Sequence, residues 1–106
     1  DRRLQEGDSV GGFTVVLQAG HSPGLLAFWR EADRTLIVGD GPINLSKDPI
    51  HPRWLRLPGM LDYDPAAAIE SRRRLAELEP KLIISTHGHP IWGVDRWLQG
   101  VDAVAR

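Results

Sequence analysis

Thr35-Leu36-Ile37-Val38-Gly39-Asp40-Gly41-Pro42 decides the fold. The run from Thr35 to Val38 is short, continuous and largely β-branched, which predicts a strand covered on both faces. It stops abruptly in a Gly/Pro cluster that carries a carboxylate. The same pattern recurs on either side. Upstream, Phe13, Val15 and Leu17 alternate with Thr14, Val16 and Gln18 after Gly11-Gly12. This period of two predicts a strand, which ends in the breaker-rich Ala19-Gly20-His21-Ser22-Pro23-Gly24. Leu25 to Trp29 reads as another strand, joined to the central one by the polar turn Glu31-Ala32-Asp33-Arg34. Downstream, Leu82-Ile83-Ile84 reads as a short buried strand and runs into Ser85-Thr86-His87-Gly88-His89-Pro90.

Between the central and last strands, residues 41–63 hold Pro42, Pro49, Pro52 and Pro58 and read as a long loop with at most a short helix. Asp64-Pro65 is an N-cap followed by proline at the first helical position, so a helix is expected from there to about Glu79, where Pro80 ends it. Its buried stripe is Ala68, Ser71, Leu75 and Leu78. A closing amphipathic helix is expected from about Asp95 to Val104, with Trp97, Leu98, Val101 and Val104 on one side. The fold class is therefore α/β in a layered α+β arrangement: a mixed sheet with helices on one face.

The chain has 106 residues, 42% of them hydrophobic and 25% charged, and a formal net charge of −1 at pH 7. No basic footprint for nucleic acid is present. Arg72-Arg73-Arg74 point in different directions on a helix and read as solvated surface. No apolar stretch approaches the roughly 18 residues of a membrane span, and no signal peptide is visible, so a cytoplasmic location is expected. The absence of cysteine excludes disulfides, thiolate metal sites and cysteine nucleophiles.

The chemistry gathers at three places where an apolar strand runs into a Gly/Pro-rich loop. The first loop holds His21, the second Asp40, and the third His87 with His89 nearby. Strand ends are rigid platforms, and imidazole with carboxylate suits zinc, or iron or manganese at a mixed nitrogen and oxygen site. Taken singly, each of these residues better suits a structural role, a backbone-bonded loop histidine or a turn or cap aspartate. Their recurrence behind three strands is what makes a candidate metal site.

Three blocks then carry a family likeness. Gly20-His21-Ser22-Pro23-Gly24, Leu36-Ile37-Val38-Gly39-Asp40 and Leu82-Ile83-Ile84-Ser85-Thr86-His87-Gly88 resemble, in order and interval, motifs in the C-terminal half of the metallo-β-lactamase superfamily. Residues 62–78 resemble the helix preceding that family's last histidine, in the form seen in its lactonase-like and glyoxalase-II-like hydrolase branches. The resemblance implies half of an αβ/βα sandwich and a binuclear metal site, with zinc expected and iron or manganese as alternatives. It implies that His21 ligates one ion, Asp40 bridges both as the catalytic carboxylate, and His87, in preference to His89, ligates the other. The parent activity it implies is hydrolysis of a small ester, thioester or lactone.

The family's H-x-H-x-D-H motif is absent, and Thr86 stands where the family has glycine. The chain also begins at Asp1 rather than methionine. We therefore expect residues 1–106 to be the C-terminal half of a longer protein, inactive alone, which pairs with the missing half or dimerises. Phe13, Trp29 and Trp54 are expected on the sheet face so covered. His51 and Asn44 are expected to serve the loop, and Trp92 and Trp97 the core. The lactonase branch places a tyrosine near Asn44, whereas Tyr63 is the only tyrosine here. The rival reading is a non-catalytic assembly module that dimerises through the open sheet face.

Overall fold

Every apolar run named above becomes a strand. The computed structural model describes residues 5–17, 26–39, 41–55 and 65–104. In chain order its elements are β1 (Ser9–Val10), β2 (Phe13–Leu17), β3 (Leu26–Arg30), β4 (Thr35–Val38), α1 (Pro65–Ala76), β5 (Leu82–Ser85), β6 (Ile91–Trp92) and α2 (Val94–Val104). The strands lie side by side in the same order in one sheet. Neighbours are antiparallel except β4 and β5, which are parallel. Antiparallel neighbours need only a tight turn. Gly11 and Gly12, both at positive φ, supply the one between β1 and β2. The parallel pair needs a crossover, and residues 39–81, with α1, supply it.

Alternation along the strands sorts side chains onto two faces. Ala27, Trp29, Leu36, Val38, Ile83 and Ile91 share a core with Leu75 and Ala76 of α1 and Trp97 and Val101 of α2. Both helices thus cover one face, as the sequence predicts. On the other face the register lines up Phe28, Ile37 and Ile84, with Leu82 beside Trp92. Ile84 is 39% and Trp92 45% exposed, so Trp92 is not a core residue. Two of the three aromatics expected on that face are also placed differently. Trp29 is 6% exposed and faces the helices, because it alternates with Phe28. Trp54 packs on α2, where a Cβ at Gly100 would stand 2.7 Å from its ring. Phe13 does share the face of Phe28, and the Arg30 guanidinium lies over it at 4.5 Å.

α1 buries Ala68, Ser71 and Leu75 as expected, and Arg72 and Ala76 as well. Arg72, 2% exposed, therefore departs from the reading of residues 72–74 as solvated surface. It lies four residues after Ala68 and three before Leu75, on the buried stripe. Its carbonyl accepts a 2.7 Å bond from Trp97 Nε1. Arg73 and Arg74 are exposed and pair with Asp102 and Glu70. The helix closes earlier than expected, at Ala76. The N–H groups of Glu77, Leu78 and Glu79 then each reach a carbonyl three residues back. Arg34, itself at φ 54°, donates from Nη2 to Leu78 O at 2.7 Å and from Nε to Glu79 O at 2.9 Å. These bonds satisfy carbonyls in the turn that follows α1 and tie that turn to the one between β3 and β4.

Arg34→Ala loses both bonds and keeps the strained backbone, so it should cost about 2 kcal/mol in urea denaturation. Arg34→Gly loses the same bonds but relieves the backbone, and should cost about 1 kcal/mol less than the alanine variant. Equal losses would show that φ at Arg34 carries no strain. In the same turn the Arg30 guanidinium bonds Asp33 and holds its carboxyl down at about 2, below the ordinary 3.8. A carboxyl lowered by folding stabilises the fold above its unfolded-state value and loses that contribution as pH falls through its folded one. The urea midpoint should therefore fall on acidification from about pH 4 to about pH 2, and less steeply in Asp33→Asn.

Candidate metal centre

Parallel strands end at the same edge of a sheet. Val38 of β4 lies beside Ser85 of β5, so Gly39 and Thr86 follow side by side. Thr86 Oγ1 donates to Gly39 O at 2.7 Å. That bond joins the residue before Asp40 to the residue before His87. β2 ends and β3 begins at this same edge, since Leu17 pairs with Leu26 and Ala27 with Val38. The described residues that flank the three candidate ligands therefore meet at one edge. His21 and Asp40 themselves lie outside the described residues. His87 is described and exposed, with its N–H 3.4 Å from Ser85 Oγ. Among the described residues no group of three or more His, Cys, Asp or Glu side chains is gathered to hold a metal ion. A surface hollow of about 650 Å³, lined by Lys81, Trp92, Asp95 and Arg96 among others, opens at the opposite edge and contains none of the candidates.

Two loops build the site edge. Residues 41–55 contain no helix among those described and instead fold back on themselves, with Asn44 opposite Trp54. Asn44 is the hub, at 2% exposure. Its Oδ1 accepts from Ser46 N–H and Arg53 N–H, both at 3.0 Å, and its Nδ2 donates to Pro90 O at 3.1 Å. Its own carbonyl accepts from His89 N–H at 2.8 Å. The sequence reading gave Asn44 a loop-capping role. Its link to the His87 loop was not legible, because the partner lies 46 residues away. Gly88, at φ 83°, rests directly on this hub, and a Cβ there would lie 2.8 Å from Asn44 O. His51 serves the loop as expected: Nδ1 lies 2.8 Å from Asp48 Oδ2. This contact, with the Ile50 N–H bond, holds the Asp48 carboxyl below its usual range.

Comparison with known proteins fits this architecture. The model of the metallo-beta-lactamase superfamily matches residues 1–87. The chain belongs to that superfamily. It is 37% identical over 75 residues to YybB and 30% identical over 84 residues to YflN, both probable metallo-hydrolases of Bacillus subtilis. These matches take in 71% and 74% of this chain and 32% of each relative, so the chain spans about a third of their length. Among solved structures, a beta-lactamase domain protein from Burkholderia ambifaria superposes with a TM-score of 0.66 at 28% identity, covering 96% of this chain and 30% of that one. TTHA1623, in a di-iron-bound form, superposes with a TM-score of 0.65 at 27% identity, covering 93% and 46%. The superfamily is one of metal-dependent hydrolases. No described helix of the chain is long and apolar enough to cross a membrane.

Gly88→Ala forces a side chain against the Asn44 backbone at a φ that favours glycine. It should cost about 2 kcal/mol in urea denaturation. A loss within about 0.5 kcal/mol, the range of an ordinary surface change, would show that the loop does not rest on Asn44.

Proposed function

We propose that the protein hydrolyses a small ester, thioester or lactone with two divalent ions held in part by His21, Asp40 and His87. The observation that carries this reading is the shared edge, where Thr86 Oγ1 meets Gly39 O at the ends of parallel strands. Two imidazoles and a carboxylate form a donor set that suits zinc, iron or manganese. By the family likeness Asp40 would bridge the two ions, a role its two carboxylate oxygens suit. By the same likeness His21 and His87 would each give a ring nitrogen to one ion. Once bound, the ions lower the pKa of water and polarise the scissile carbonyl.

Two protein ligands per ion fall short of the three or four that zinc takes. In this reading the other ligands come from a second layer packed on the Phe28, Ile37 and Ile84 face. That layer is the rest of a longer chain or, less economically, a second copy. The exposure of Ile84 and Trp92 also favours a second reading, in which the chain is a non-catalytic assembly module.

Calorimetric titration of the full-length protein with Zn²⁺, Mn²⁺ or Fe²⁺ separates the two. The hydrolase reading expects tight stoichiometric binding that His21→Ala and His87→Ala each abolish or halve. It also expects chelator-sensitive release of acid from an ester, thioester or lactone panel. Absence of metal binding, with a dimer in solution, would favour the assembly module.

A further inference from the structure

We infer that Asn44 is the positioning residue for His87, an inference that rests on the metal-ligand role proposed above. Among the described residues the His87 ring makes no hydrogen bond, so its place is set by the backbone of its loop. That loop is held on both sides of His87. Before it, Thr86 Oγ1 is tied to Gly39 O. Beyond it, Asn44 takes the His89 N–H on its carbonyl and gives an amide hydrogen to Pro90 O. Gly88, the residue next to His87, lies flat on the Asn44 backbone, where no side chain fits.

An amide is the group this place requires. Its oxygen serves the Ser46 and Arg53 N–H groups of the inner loop, and its nitrogen serves the carbonyl of Pro90. A carboxylate supplies the first function and cannot supply the second, because it has no hydrogen to give. A buried hub whose amide oxygen and nitrogen both have partners holds one geometry, whereas one that loses a partner loosens. Asn44 thus links the loop after β4, which begins next to Asp40, to the loop after β5, which carries His87. It touches neither substrate nor ion in this role.

The test uses the full-length protein with Asn44→Asp, Asn44→Ala and His87→Ala. Amide hydrogen exchange is followed in the metal-free protein, and Zn²⁺ affinity is read by competition with a chromophoric chelator. Asn44→Asp keeps the inner-loop acceptor bonds and replaces the donor to Pro90 with an oxygen that repels its carbonyl, so the amides of Ser46 and Arg53 should stay protected. The His89 amide should exchange at least about tenfold faster, and Zn²⁺ should bind about 10- to 100-fold more weakly. A variant that exchanges and binds Zn²⁺ like the wild type, while His87→Ala loses the ion, overturns the inference and leaves the metal site standing. So does faster exchange at His89 with wild-type affinity. If wild type and His87→Ala titrate identically, the metal-ligand role fails and takes this inference with it. Where Asn44→Ala does not fold, Asn44→Asp carries the test.

Discussion

The parallel pairing of β4 with β5 is the constraint on which the rest depends. It fixes Thr35 beside Leu82 and Val38 beside Ser85, and thereby brings the two following loops to one edge. Its register is held by packing rather than by the loops themselves. Leu36, Val38 and Ile83 are fully buried under the helices, and each such side chain contributes about 1.5–3 kcal/mol by leaving water. A slip of one residue between the two strands would turn either Leu36 and Val38 or Ile83 onto the opposite face. The relative position of Gly39 and Thr86 is therefore an output of the core.

The two edges of the sheet do different work. At one, the Arg34 guanidinium donates to the Leu78 and Glu79 carbonyls in the turn after α1, while Lys81 N–H binds Arg34 O, so the two turns and β5 are locked together. At the other, the chain leaves regular structure and relies on side-chain bonds to its own backbone. Thr86 reaches Gly39, and Asn44 reaches Ser46, Arg53 and Pro90. A site assembled from loops needs such bonds, since the strands alone fix only where each loop begins.

What could be read in the sequence follows from how local each signal is. The four longer strands and both helices were legible because apolar period and breakers are written in consecutive residues. β1 and β6, two residues each, are too short for any period to show, although Gly11-Gly12 is a hairpin signal that marks β1. The sidedness of Trp29 was misread because β3 is apolar at adjacent positions, Phe28 and Trp29, and only pairing decides which one meets the helices. Arg72 was misread because charge was weighed before its place on the helical stripe. The alignment of the candidate loops was legible only as recurrence, since whether β4 and β5 run parallel is a tertiary fact. His21 and Asp40 lie outside the described residues, and their part in the site stays within the proposal.

A sheet with one wet face alternates apolar with polar residues. β3 does not, because Leu26, Ala27, Phe28 and Trp29 are apolar in succession, and β4 places Ile37 outward from the helices. Such strands are built to be covered twice. Within the proposed function the chain has a second, unrelated shortfall, because two ligands per ion are fewer than zinc requires. On that reading one addition would meet both: a layer laid on Phe28, Ile37 and Ile84 would bury this partly exposed apolar face and, where it reached the end shared by β4 and β5, would bring further ligands to the same ions. Packing and coordination would, on the same reading, impose a single geometric demand on the apolar outer face and the loop histidine at the end of β5.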